Sequence, residues 1–203
     1  MPGSAAYDDP VSRTSHIHRE TKETVVTIDL DVDGDGNASS ETGIPFFDHM
    51  LEQLGKHGGF DLTVRVKGDL EVDTHHTVED TGIVLGTALK EALGDKVGVR
   101  RFADTLVPLD EALVQVALDL SGRPFIAYDL DPVSEFIGTF DPQLAEEFWR
   151  AFAFGAGITL HIRGVEGKNG HHIIEASFKA VARALRDAVK VEGTALPSTK
   201  GTL

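Results

Sequence analysis

The sequence predicts an α/β chain of the α+β type, built as two similar tandem halves. Three observations carry this: an internal repeat, strand-period alternation at matching places in both copies, and helix-period apolar faces after them. The repeat is plainest around two HHxxE motifs. An offset of 96 takes His75, His76 and Glu79 onto His171, His172 and Glu175. The same offset takes DLTVRVKG (61–68) onto GITLHIRG (157–164) and ALKEAL (88–93) onto ALRDAV (184–189), with no gap needed. Earlier in the chain the offset is 88: KETVVTIDLDVDG (22–34) falls on DEALVQVALDLSG (110–122), pairing Glu23 with Glu111. The second half thus gains eight residues between these blocks. The predicted organisation is a tail over 1–11, half-repeats over 12–95 and 96–193, and a second tail over 194–203. Two long copies are too few for a solenoid.

Each half reads as strand, strand, helix, strand, helix. Val26, Ile28, Leu30 and Val32 alternate as a strand does, and His16 and His18 flank the first strand without an assigned role. DGDGN (33–37) is a turn signal. Pro45 suits the first position of a helix whose apolar face is Phe46, Phe47, Met50, Leu51 and Leu54; Gly58 and Gly59 end it. Leu62, Val64 and Val66 alternate again. Asp73 and Asn169 suit the N-caps of the closing helices. In the last of these, Ile174, Phe178, Val181, Leu185 and Val189 recur at helical spacing, and Gly193 stops it.

Composition narrows the function. A net charge of −14 leaves no basic stripe for a nucleic-acid backbone, though a small anion can still meet a few converging Arg and Lys. No apolar run reaches membrane-spanning length, and MPGSAAYDDP lacks the layout of a secretory signal. The absence of cysteine excludes disulfides and thiolate metal sites. A cytoplasmic protein is expected.

The HHxxE motifs carry the chemistry. Residues i and i+4 share a helical face, so His75 with Glu79, and His171 with Glu175, can each hold one ion. Adjacent histidines point about 100° apart, so the second histidine of each motif serves a different ion. The economical arrangement is crossed: His172 joins His75 and Glu79, and His76 joins His171 and Glu175. A hard ion wants more donors, so His49 is assigned to the His171/Glu175 ion and His161 to the His75/Glu79 ion. Imidazole and carboxylate without thiolate suit Mn, Fe or Zn. Motifs at two helix starts can meet within a chain or across an interface. His57 reads as a helix C-terminal histidine without chemistry, and Arg100 as a surface residue.

Several long motifs then carry a resemblance over about 12–203: RETKET (19–24), GIPFFDHML (43–51), DTHHTVED (73–80), PLDEALVQVALDLSGRP (108–124), GKNGHHIIEASFKA (167–180) and PSTKG (197–201). In these the sequence resembles the imidazoleglycerol-phosphate dehydratases, in their monofunctional form. The resemblance implies two α/β halves, each a four-stranded sheet with helices on one face. It implies a 24-subunit shell with two Mn ions in each active site, between subunits. The reaction it implies is dehydration of imidazole glycerol phosphate to imidazole acetol phosphate, in histidine biosynthesis, through a di-metal-bound imidazolate. It implies Glu23 as acid/base. Arg101, Arg123, Lys179, Ser198 and Lys200 match its substrate-binding positions and supply donors for a phosphate. Gln53, four residues after His49 on one helical face, is placed to meet substrate hydroxyls. Glu111 is either a relic of duplication or a supporting group. Two other readings stand beside this one: a dinuclear metal hydrolase releasing inorganic phosphate, and a non-catalytic shell whose metals only tie subunits together. The shell leaves Glu23 and the PSTKG tail without a task.

Overall fold

The computed structural model of the protein describes residues 13–131 and 136–203, so the expected tail over 1–11 lies outside the described residues. Its elements run β1 (Thr14–Glu20), β2 (Thr24–Asp31), β3 (Ala38–Glu41), α1 (Pro45–Gly58), β4 (Asp61–Gly68) and α2 (His75–Leu93). The second half repeats them as β5 (Phe102–Leu109), β6 (Ala112–Asp119), β7 (Phe125–Asp129), α3 (Leu144–Ala156), β8 (Thr159–Glu166) and α4 (Gly170–Ala188). Two four-stranded sheets result, ordered β1-β2-β4-β3 and β5-β6-β8-β7. The tandem arrangement of four-stranded sheets with helices is the expected one.

The short strands β3 and β7 were not visible in the residue pattern. Each pairs parallel to the strand that follows its helix. β3 is only ASSE, with no apolar alternation, because it is an edge strand held mainly by its backbone. His16 and His18 lie within β1 rather than beside it, bonded across the sheet to Asp29 and Thr27.

The repeat also needs one correction. Ile28 faces Val64 in the first sheet, and Val116 faces Ile162 in the second. The central strands keep the offset of 88, but β4 and β8 are related by 98, not 96. Two residues are then lost before α4, and a register shift at Leu113/Val114 accompanies the change. A slip of two preserves which side chains face inward, because a strand repeats every two residues. The sequence alignment therefore placed the right faces on the wrong partners.

Each sheet buries one face under its helices. Val26, Ile28 and Leu30 line one inner face; Val114, Val116 and Leu118 line the other. The halves share one core, because α1 packs on α4 and α2 on α3. Phe148 of α3 is central, with ring centroids 5.3 Å from both Phe47 of α1 and Phe178 of α4. At the glycines where α2 crosses α3, even a methyl side chain would crowd the facing backbone. A Cβ on Gly82 would lie 2.7 Å from the Phe148 carbonyl oxygen, and one on Gly155 would lie 2.7 Å from that of Ile83.

Helix ends follow local chemistry. Pro45 opens α1, and Gly59 closes it at φ 72°, which glycine adopts freely. Asn169 caps α4 by accepting the His171 amide. Asp73 accepts the His75 amide at 2.8 Å, but it stands one residue before the capping position, Thr74. Gly193 does not stop α4: the helix ends at Ala188, capped at Val189, and Val191 then bridges to Val99.

Candidate metal centre and active site

Packing of α1 on α4 brings three candidate ligands from different halves together. His49 comes from α1; His171 and Glu175 come one turn apart from the start of α4. One donor atom from each lies within 4.8 Å of the others, close enough to share an ion. Glu175 Oε2 is 3.0 Å from His171 Nε2 and 3.6 Å from His49 Nε2. Lys179, one turn further on, places its ammonium 2.7 Å from Glu175 Oε1. Burial pushes the Glu175 carboxyl up, but the Lys179 hydrogen bond and charge, with His171, hold it below its ordinary value. It stands ionised, as a metal ligand must.

The second histidine of each motif is held by an acid. His76 Nδ1 lies 3.0 Å from Asp69 Oδ2, while its Nε2 lies 3.9 Å from Glu23. His172 Nδ1 lies 2.8 Å from Glu111 Oε2. Those hydrogen bonds, donated by the rings to Asp69 and to Glu111, raise the affinity of each ring for a proton. A carboxylate on Nδ1 is also the arrangement that orients an imidazole to offer Nε2 to a metal. The donor set is therefore chemically suited to a hard or borderline divalent ion.

The structure distributes the remaining candidates as follows. His75 Nε2 lies 3.8 Å from Glu79 Oε2 on α2. His161 is exposed on the outer face of β8, its ring 5.6 Å from Phe125, beside the small residues Ala117 and Ala127. Among the described residues, His49, His171 and Glu175 form the one group of three close donors. A single chain does not bring His172 or His161 to the His75/Glu79 pair, nor His76 to the other.

The substrate-binding candidates form two groups. Beside the metal triad, Gln53 Oε1 meets His57 Nε2 at 3.0 Å. Burial, followed by the charges of Lys179 and Arg183, lowers the His57 pKa, so this ring is neutral and part of a polar strip along α1 and α4. The second group lies where the C-terminal tail returns. Arg101 grips Asp119 with two nitrogens, at 2.7 and 3.1 Å, and donates to the Pro197 carbonyl at 2.7 Å. Arg123 is largely exposed, 3.9 Å from the same Asp119. Ser198 donates to the Thr202 carbonyl and accepts the Lys200 amide. Leu203 lies directly against Gly122, where a Cβ would come within 2.6 Å of its carbonyl carbon.

Sequence reasoning missed Asp69, Asp119 and Asp80, the acids that hold His76, Arg101 and Arg19. The last residue of HHTVED was the available signal for Asp80. Glu111 is resolved as a support: it accepts the amides of Lys168 and Asn169 as well as bonding His172. These bonds, His172 first, lower its pKa to about 2.

Comparisons with known proteins agree with this architecture. The family model described as imidazoleglycerol-phosphate dehydratase matches residues 42–185. A relative of that name from Parafrankia sp. (strain EAN1pec) is 58% identical, covering 95% of this chain and all of its own. The crystal structure of imidazoleglycerol-phosphate dehydratase from Staphylococcus aureus N315 superposes with a TM-score of 0.80 at 37% identity, over 88% of this chain and 99% of that one. The Pyrococcus furiosus structure, solved in complex with (S)-C348, gives 0.82 at 36% identity, over 92% and 100%. With more than half the chain matched by the family model and full-length relatives above half identity, the chain belongs to the imidazoleglycerol-phosphate dehydratase family.

Proposed function

We propose that this chain dehydrates imidazole glycerol phosphate to imidazole acetol phosphate, a step of histidine biosynthesis, in the cytoplasm. Its site holds two Mn ions and lies between subunits of a 24-subunit shell. The observation that carries the reading is the His49–His171–Glu175 cluster, with Lys179 on the same carboxylate. It supports the reading because two imidazoles, an ionised carboxylate and an ammonium converge there in a chain of this family.

His49, His171 and Glu175 would hold one ion, completed by His76 of another copy. His75 and Glu79 would hold the second, completed by His172 and His161 of other copies. When bound, these ions supply Lewis acidity that stabilises the substrate's imidazole ring in its deprotonated form. The chain's own residues do the rest. Glu23 is exposed, faces His76 and, among the described residues, accepts no short hydrogen bond on its carboxylate, so it is free to take the proton from the side-chain carbon. Glu111, its twin, is fully engaged as an ionised acceptor and is too weak a base for that task. Arg101, Arg123, Lys179, Ser198 and Lys200 hold the phosphate, and Gln53 meets the hydroxyls. No helix among the described residues is long and apolar enough to cross a membrane.

Incubation with imidazole glycerol phosphate, with and without Mn, tests the reading. A metal-dependent ketone that retains its phosphate supports it. Release of inorganic phosphate would favour the dinuclear hydrolase instead.

A further inference from the structure

Asp80 follows Glu79 on α2 and is 6% exposed. A buried carboxylate needs compensating partners, and Asp80 has two among the described residues. Arg19 of β1 places Nη1 2.7 Å from Asp80 Oδ2. Thr24, the first residue of β2, donates its hydroxyl to the same oxygen. Arg19 and Thr24 stand on either side of the connection that bears Glu23.

That connection is closed on itself. The Thr21 amide donates to the Thr24 carbonyl at 2.9 Å. The Thr21 hydroxyl oxygen accepts the amides of Glu23 and Thr24, at 3.1 and 3.0 Å, and lies 3.4 Å from the Thr24 hydroxyl. One hydroxyl therefore joins the turn to Asp80, and the turn presents Glu23 to His76, 3.9 Å away.

The second half supplies an internal control. The offset of 88 in the strands and 96 in the motif helices places Val107, Ala112 and Ala176 where the first half has Arg19, Thr24 and Asp80. Strand pairing supports this, since Arg19 faces Val26 as Val107 faces Val114. All three twins are buried, at 7%, 1% and 0% exposure. The same corner of the fold is thus built from apolar residues, and a buried ion pair is often replaceable by such residues without loss of stability. What separates the halves is the glutamate each corner carries. Glu111 is fixed by the amides of Lys168 and Asn169 and by His172; Glu23 has no such anchor on its carboxylate among the described residues.

We infer that Arg19, Asp80 and Thr24 form a positioning device for Glu23. They tie its turn to the helix whose start carries His75, His76 and Glu79, and so set where the proton carrier stands relative to that motif. Asp80 acts through Glu23 and is a positioning residue. The inference rests on the reading of Glu23 as the proton carrier.

The test uses the assembled, Mn-loaded enzyme with two variants. One is Asp80→Asn, which keeps the shape and can still accept the Thr24 hydroxyl. The other is the triple Arg19→Val, Thr24→Ala, Asp80→Ala, which installs the residues of the other half. Both should retain assembly and metal, with kcat lowered about 10–100-fold and KM changed by less than about twofold. In a Glu23→Gln background the same changes should cost nothing further, because residues acting as one unit are not additive. Wild-type kcat in the triple variant, losses that multiply with that of Glu23→Gln, or loss of metal would each overturn the inference. If the triple variant does not fold, Asp80→Asn carries the same cycle. Near-normal kcat in Glu23→Gln alone would strike the underlying reading of Glu23, and is thereby told apart from failure of the inference.

Discussion

Gly86→Ala tests whether α2 and α3 cross as closely as the structure shows. A Cβ at Gly86 would collide with the Phe152 carbonyl oxygen, and would lie 2.8 Å from the Ala156 nitrogen and 3.1 Å from the Gly155 carbonyl carbon. Carbon–oxygen approaches are ordinarily no closer than about 3.3 Å. The obstructing atoms are all backbone, so the helices must separate rather than a side chain rotate. Overpacking of this kind costs about 1–3 kcal/mol, and the better helix propensity of alanine returns up to about 1 kcal/mol. The net expectation is a loss of about 1–2 kcal/mol, since rigid atoms on two sides place the strain at the upper end of that range. For a chain of this size each kcal/mol shifts the melting temperature by about 2–4 °C, so a fall of about 2–8 °C is expected. The assay is thermal unfolding at fixed protein and metal concentration. Gly193→Ala is the control, having open space around its Cβ and no left-handed backbone. It should stay within about 0.5 kcal/mol of the parent. If Gly86→Ala melts with Gly193→Ala, the close crossing does not exist as described.

The remaining predictions concern metal, substrate and pH. Chelation of the Mn-loaded protein should shrink the particle or lower its melting temperature, because metal stabilises only the folded, assembled state; light scattering with elemental analysis checks this. Lys200→Ala should raise KM by about 10–150-fold with little change in melting, the scale of one charge-assisted phosphate contact; the Lys200 backbone amide, not its side chain, makes the tail's hydrogen bond to Ser198. Glu111 has a folded pKa of about 2 against an ordinary 4.5. It therefore contributes stability that is present above pH 4.5 and lost as pH falls toward about 2. In metal-free protein, Glu111→Gln should lower stability at neutral pH and flatten its decline through that acid window, measured by denaturant unfolding at several pH values.

Much of this architecture was legible because duplication wrote it twice. The alternation of Val26, Ile28 and Leu30 and its echo in Val114, Val116 and Leu118 gave the central strands and their buried faces. Placing His49 with His171 and Glu175 followed from the need for another donor, and the structure brings those three together through α1 and α4. The edge strand ASSE was invisible because backbone pairing leaves no mark on side-chain pattern. The two-residue slip of β8 was invisible because parity, which the pattern does record, is unchanged by it. Asp80 and Asp119 were missed for another reason. Their partners Thr24 and Arg101 lie 56 and 18 residues away, beyond any local spacing rule.

In the proposed function, catalytic sites are completed between chains, with one HHxxE motif from each of two copies. Mixed assemblies test it most directly. His75→Ala lacks the first motif and His171→Ala lacks the second, so each alone should fail to turn over imidazole glycerol phosphate. Co-expressed with distinguishable tags and purified through both, they should regain about a quarter of wild-type turnover. That is the share of randomly assembled interfaces that draw an intact motif from each side. Mixed particles that contain both chains and Mn yet remain inactive would return each site to a single chain.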